Sequence, residues 1–313
     1  MNEYFTDNQA VNPIKTKKNG IINLSTHTPE AAWNLAFNVV DYPVSVEPLY
    51  WGEGNLAKGM TNTMRDVQYF GIVVDRNRDG KKQVIATVTD SYHTISTVSV
   101  YKDLYKDLTT SSIISQPERC YVSVNGGRQT LTIRLPNFVT PVLSVGKFSM
   151  AINLVTSLDG TLKHSISVNP IDEMGKTVFG IESEFSFSTK HTKNLKERHV
   201  AFSLVIEKML EEWNDVIAPM MSLMDSTKLD ANIAIDIVKN ILEESGMPDK
   251  HSKKMIENAE MSENHTALSV LHGITEYIDD SLSEHKPERV EQFKKSLNKT
   301  AMKILKNKLR IER

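Results

Sequence analysis

The stretch RCYVSVNGGRQTLTIRL, Arg119 to Leu135, holds two runs rich in β-branched residues on either side of Asn125-Gly126-Gly127. Val, Ile, Thr and Tyr suit a pleated surface, so both runs read as strands. Asn-Gly supplies the positive φ that a tight hairpin turn needs. The side-chain period is two, so Arg128 and Arg134, six apart, fall on one side of a regular strand.

The same pattern recurs outward from this hairpin. VQYFGIVVD (67–75) and QVIATVTDSYHTI (83–95) read as strands around Asp79-Gly80. FSMAINLVTS (148–157) and TLKHSISV (161–168) flank Asp159-Gly160, and TVFGI (177–181) adds a last strand. One helix is inserted: in STVSVYKDLYKDL (96–108), Val100, Leu104 and Leu108 keep helical spacing, with Ser99 as candidate cap. Upstream, THTPEAAWNLAFNVV (26–40) starts a short helix, with Thr28 as N-cap, Pro29 at the first helical position and Ala32, Leu35, Ala36 and Val39 as its apolar face. Pro43 and Pro48 make YPVSVEPLYWGEG (42–54) an extended, irregular segment.

Beyond Phe187 the period becomes helical. HTKNLKERHVAFSLVIEKMLEEWNDVI (191–217) reads as a long helix, capped by Thr192 or Asn194 and ended or kinked by Pro219. DANIAIDIVKNILEESG, stopped by Gly246, PDKHSKKMIENAE and TALSVLHGITEYIDDSL follow. A last helix, 287–309, carries Phe293, Leu297, Ala301, Leu305 and Leu309 as an apolar stripe. The expected fold class is α+β: an antiparallel hairpin-built sheet with an inserted helix, then a C-terminal helical region. The divisions are 1–40, an N-terminal arm and short helix; 41–188, the sheet domain; and 189–313, the helical domain.

At 313 residues, 40% hydrophobic and 24% charged, the chain is long and apolar enough to bury a sizeable core, which excludes a disordered chain. No apolar run is long enough for a membrane span, and the first twenty residues lack the apolar core of a secretory signal, so they read as a polar arm. The lone Cys120 excludes an internal disulfide, fits a reducing cytoplasm and reads as a small buried hydrophobe. Net charge is −2, but residues 205–292 carry a net of −11 and residues 293–313 a net of +7. The acidic block and the basic tail are expected to neutralise each other when packed.

Most motifs dissolve on inspection. GEGNLAKGMT (52–61) has glycines at phosphate-loop spacing but Met60 where a lysine must reach the phosphates. DRNRDG (75–80) matches half a calcium loop, but Ala86 stands where a bidentate Glu belongs, so it reads as a hairpin turn. His191 and His199 lack a third ligand at helical spacing. Glu211-Glu212 and Asp279-Asp280 read as solvated helix faces. Neither a catalytic residue nor a metal or cofactor is expected.

Two features carry a functional expectation. KHTKNLKERH (190–199) gathers Lys190, Lys193, Lys196 and Arg198 at a strand-to-helix transition, where helix amides also favour phosphate. The strands add Arg119, Arg128 and Arg134 near Tyr121 and Phe138. A basic sheet face bearing aromatic side chains can hold a single strand through phosphate contacts and stacking.

Taken in order, MRDVQYFGIVVDRN, VTDSYHTISTVSVYKDLYKDL, NGGRQTLTIRLPNF, FSFSTKHTKNLKERHVAF and ALSVLHGITEYIDD resemble successive blocks of phage/plasmid-like proteins that carry a widespread domain of unknown function. The likeness runs from about Pro43 to Lys306, and Thr275, Glu276 and Tyr277 match its late helical block. The chain departs from the pattern where a Cys-Ser-Asn segment is common and TVFGIESEFSF stands instead. The resemblance implies phage or mobile-element origin, a host-cytoplasm setting and proximity to replication and recombination genes. The hairpins and crossing helix also look like those of phage single-strand annealing proteins. The expected function is nucleic-acid binding, single-stranded DNA favoured, by a homo-oligomeric annealing factor. The alternative is a non-enzymatic interaction with a host protein through the acidic helices, in host takeover or anti-defence.

Overall fold

In a computed structural model, the structure describes residues 20–48, 69–76, 80–89, 91–161, 163–176, 187–189, 202–245, 249–261 and 265–281, together with Thr300 and Lys303. The fold is α+β, with antiparallel sheets followed by helices. Two sheets form where one was expected. The larger has the order β1 (Ile21–Asn23), β5 (Gln116–Val122), β6 (Arg128–Val142), β7 (Gly146–Ser157), β8 (His164–Ile171), β9 (Phe187–Thr189), all antiparallel. The smaller joins β2 (Val44–Pro48), β3 (Tyr69–Val74) and β4 (Gln83–Thr89).

Alternation builds the large sheet. Along β6, Gln129, Leu131, Ile133 and Leu135 are buried while Arg128, Thr130, Thr132 and Arg134, on the other face, are only partly buried. Cross-strand register extends each face: Ile22, Cys120, Leu131, Leu154 and Ile166 form one buried row. Helices α1 (Pro29–Val40) and α2 (Thr97–Thr110) join this inner core through Trp33, Phe37, Tyr101, Leu104 and Leu108. Burial pushes the Cys120 thiol up to about 12, so it remains a neutral packing group.

Within the core, Gln129 is satisfied on every side. Its amide nitrogen donates to Tyr42 Oη and to the Gly126 carbonyl, while its oxygen accepts from Thr97 Oγ1 at 3.3 Å and Thr156 Oγ1 at 2.9 Å. This network ties α2, β6 and β7 to the Asn125-Gly126-Gly127 turn, where Gly126 adopts φ +76°. Burial pushes the Tyr42 hydroxyl up to about 12, which leaves it protonated and able to donate to Gly126.

The helices that follow share one continuous apolar core with the sheet. Helix α3 (Phe202–Glu212) passes through a π-turn at Trp213–Ile217 into α4 (Ala218–Ser226). The expected break at Pro219 is thus a widened turn. Proline cannot donate the usual bond, and the Ala218 amide instead reaches back to the Trp213 carbonyl. Helices α5 (Ala231–Ser245), α6 (Asp249–Met261) and α7 (Ala267–Ser281) complete the described set. Asp225 on α4 holds the β6–β7 turn by accepting from the amides of Leu143 at 2.7 Å and Ser144 at 3.0 Å.

Several expectations change in detail. Val44–Pro48, within the segment expected to be irregular, form a true edge strand, with Pro43 just before it and Pro48 at its end; residues 49–54 lie outside the described residues. Ser96, not Ser99, caps α2, accepting from the Ser99 amide at 3.4 Å. Trp33, Phe37 and Val40 join Ala32 and Ala36 as the buried face of α1, rotated from the expected one. Residues 20–40 are built into the large sheet and its helix layer, since β1 pairs with β5 and α1 packs on it. Glu212 is buried while Glu211 is exposed, so that pair is not a uniformly solvated face. TVFGI, the phosphate-loop-like segment, Gly246, the caps at Thr192 or Asn194 and most of the last helix lie outside the described residues. Among the described residues, no helix is long and apolar enough to cross a membrane.

Candidate nucleic-acid interface

The outer face of the large sheet is largely polar: the alternate residues of its central strands are mostly Thr, Asn, Ser or Arg, with Ala151 and Val155 the apolar members on β7. Register aligns Asn23, Arg119, Thr132, Asn153 and Ser167 as one row across five strands. At about 4.8 Å between strands, the row spans about 19 Å. Asn23 and Arg119 are exposed and the other three half-exposed. Parallel to it, Thr130, Val155 and Ser165 form a second, half-exposed row. Hydroxyl, amide and guanidinium groups are the donors that position a sugar-phosphate backbone.

The predicted arginines have different fates on this face. Register shifts between Pro117 and Arg119, so Glu118 occupies a bulge and turns its carboxylate toward Arg134. Arg134 Nε donates to Glu118 at 2.5 Å, and its other nitrogens reach Ser149 Oγ at 3.3 Å and the Asp172 carbonyl at 3.0 Å. The pair is 14% and 9% exposed, so Arg134 is bound internally rather than presented to a ligand. Arg128 Nε donates to Thr161 Oγ1 at 2.7 Å and Asp159 at 3.3 Å, bracing the β7–β8 turn. Burial pushes the Asp159 carboxyl up, but bonds from Ser157 and Thr161, together with the Arg128 charge, outweigh it and hold the pKa below the ordinary value. Arg119 is exposed; its contact with the Gly175 carbonyl is long, at 3.4 Å. Tyr121 is buried at 7% exposure, a position that does not offer its ring for stacking.

Lys190, Lys193, Lys196 and Arg198 lie outside the described residues, as do His191 and His199. Lys190 directly follows Thr189, which pairs with His164 at the edge of the large sheet. That end of the sheet also holds Arg128 and exposed Lys163. The half-exposed Thr130, Thr132, Asn153, Ser165, Ser167 and Asn169 were missed as candidates. Their signal was the polar alternation itself, but only register shows that they converge.

At the opposite end, α7 is locked to the sheet. His272 Nε2 lies 3.3 Å from Asp172 Oδ2, Lys176 Nζ donates to Glu276 at 2.9 Å, and the His272 ring packs edge-on to Phe148. Burial raises the Asp172 carboxyl, but hydrogen bonds from His272 and from the Lys176 and Met174 amides overcome it, so its pKa lies below the ordinary value. Thr275 turns its hydroxyl onto the helix carbonyls of Leu271 and His272, and Tyr277 Oη meets His251 Nδ1 at 3.0 Å. The Thr-Glu-Tyr block therefore makes packing and bridging contacts. In the acidic region, Lys303 reaches Glu244 at 3.7 Å, an exposed contact between basic tail and acidic block. Among the described residues, no group of three His, Cys, Asp or Glu could hold a metal ion.

Comparison with protein-family models, with curated proteins and with solved structures gave no match.

Proposed function

We propose that this chain binds nucleic acid, with single-stranded DNA the favoured ligand, as a phage or mobile-element annealing factor. The observation that carries the reading is the polar row from Asn23 to Ser167, which has exposed Arg119 within it and lies on a sheet whose edge strand runs directly into the 190–198 basic stretch. A single strand laid on this face meets hydroxyl and amide donors along the row and cations at its margins. Duplex DNA presents its phosphates on a rigid cylinder, which fits a broad sheet face less well than a flexible strand does. The buried position of Tyr121 leaves hydrogen bonding and charge, rather than stacking on that ring, as the support, so recognition is expected to be sequence-neutral.

The site is tested by fluorescence anisotropy with labelled oligonucleotides. Alanine at Lys193, Lys196 and Arg198 together, and separately at Arg119, is expected to weaken binding across all sequences and to flatten its salt dependence. Unchanged affinity in both variants would remove the assignment.

A further inference from the structure

The turn after β8 stands between the outer face of the large sheet and α7. It closes on itself: the Gly175 amide donates to the Asp172 carbonyl at 3.1 Å, and the Lys176 amide donates to Asp172 Oδ1 at 2.8 Å. One side of the turn serves the sheet. The Asp172 carbonyl accepts from Arg134 at 3.0 Å, and the Gly175 carbonyl accepts from Arg119 at 3.4 Å. Gly175 has φ +75°, and a Cβ there would stand 3.2 Å from Glu118 Oε2, so the turn lies directly against the Glu118–Arg134 pair. The other side serves α7. Asp172 Oδ2 lies 3.3 Å from His272 Nε2, and Lys176 Nζ donates to Glu276 Oε1 at 2.9 Å. Glu276 Oε2 is left 3.9 Å from His272 Nδ1. The imidazole thus has an acid beside each of its nitrogens.

We propose that His272 is a proton-operated latch that holds the Asp172–Lys176 turn, and through it Arg119, in place on the sheet face. A neutral imidazole carries one N–H and donates to one acid only, whereas the imidazolium offers both nitrogens and a positive charge. The surrounding charges set the direction. Arg134 and Glu118 balance each other, and Glu173 is exposed to solvent. Asp172, Glu276 and Lys176 together leave one negative charge, which a proton on His272 cancels. The His272 and Asp172 side chains are 15% and 10% exposed, so salt screens this balance little. Among the described residues, Asp172 and Glu276 are the acids within ion-pair reach of the ring. On the helices packed against α7, Asp225 of α4 is engaged with the Leu143 and Ser144 amides, His251 of α6 with Tyr277, and Glu244 of α5 with Lys303. Phe148 of β7, edge-on to the ring, is uncharged. The latch is closed while His272 carries its proton and opens as pH rises through the range in which histidines give theirs up, roughly pH 5–8. Asp172, held below its ordinary carboxyl value, stays charged throughout that range.

The latch adds regulation to the nucleic-acid reading and rests on that reading only for its last readout. The first two readouts need no DNA. The urea midpoint of the full chain is measured at about pH 5.5 and about pH 8 for wild type and His272→Gln. The wild type is expected to lead the variant at the lower pH and to lose that lead at the higher one, whereas a purely structural role gives the same gap at both. In heteronuclear magnetic resonance spectra, the Gly175 and Lys176 amide signals are expected to move with pH across this range in the wild type and to stay in place in the variant. Glu276→Gln, which keeps His272 and Asp172, is expected to shrink both effects, and it carries the test should His272→Gln fail to fold. A stability gap independent of pH, or amide signals indifferent to it, would overturn the latch. The last readout is single-strand affinity, expected to fall more steeply from the lower to the higher pH in wild type than in His272→Gln. Equal declines would overturn the link to Arg119. No binding at either pH would remove the nucleic-acid reading and leave the latch to be decided by its own two readouts.

Discussion

Arg134 donates to the Glu118 carboxylate at 2.5 Å, and the two meet because a bulge in β5 turns Glu118 onto the outer sheet face. The pair is largely shielded from water, and Arg134 also bonds the Asp172 carbonyl. Removing one partner of a shielded ion pair leaves an uncompensated charge. Glu118→Ala is expected to cost about 3–5 kcal/mol, read from the urea midpoint at unchanged slope. The double variant Glu118→Met with Arg134→Leu is expected to recover most of that loss, because it removes both charges.

Asp172 ties the end of β8 to His272 on α7. Its folded pKa lies below its ordinary value of 3.8. The stabilisation it gives is therefore fully present above that value and is lost as pH falls through the folded pKa. Asp172→Asn is expected to lower stability at neutral pH and to flatten the decline of stability below pH ~4. Chemical unfolding across that range measures both effects, and an unaltered acid limb would contradict the assignment.

Gln129 is fully enclosed, with Tyr42, Gly126, Thr97 and Thr156 as partners. Gln129→Leu is close in volume but strips those groups of their bonds. Each buried polar group left unmade costs about 1–3 kcal/mol. A clear fall in melting temperature is expected, with binding of DNA at low temperature retained.

Thr132 stands between Arg119 and Asn153 in the polar row. Thr132→Glu puts a negative charge at the centre of the proposed path while leaving the buried face untouched. Single-strand affinity is expected to fall by about tenfold or more, an electrostatic cost of at least ~1.4 kcal/mol, with the loss shrinking as salt is raised. Circular dichroism is expected to be unchanged.

Much of the architecture was legible in local pattern. Asn-Gly and Asp-Gly turns mark hairpins because their backbone requirement is short-range, and α2 follows from Val100, Leu104 and Leu108 alone. The site was less legible. Nothing local to RQTLTIRL says that Arg134 is consumed by Glu118, because the meeting depends on a bulge in the neighbouring strand. Tyr121 reads as an available aromatic, yet its burial is set by the packing around β5. The row from Asn23 to Ser167 joins residues up to 144 positions apart, which only sheet register brings together. The passage of the helix through Pro219 likewise depended on a π-turn that periodicity does not announce.

The most direct measurement is anisotropy of a labelled single strand at several salt concentrations, for wild type and for Arg119→Ala. The account predicts salt-dependent binding that favours single strands over duplex, with a log–log slope of about −3 for roughly four phosphate contacts. It also predicts a shallower slope and weaker binding when Arg119 is removed. Absence of binding at low salt, or equal slopes for the two proteins, would contradict the claim that the polar face of the large sheet is a nucleic-acid interface.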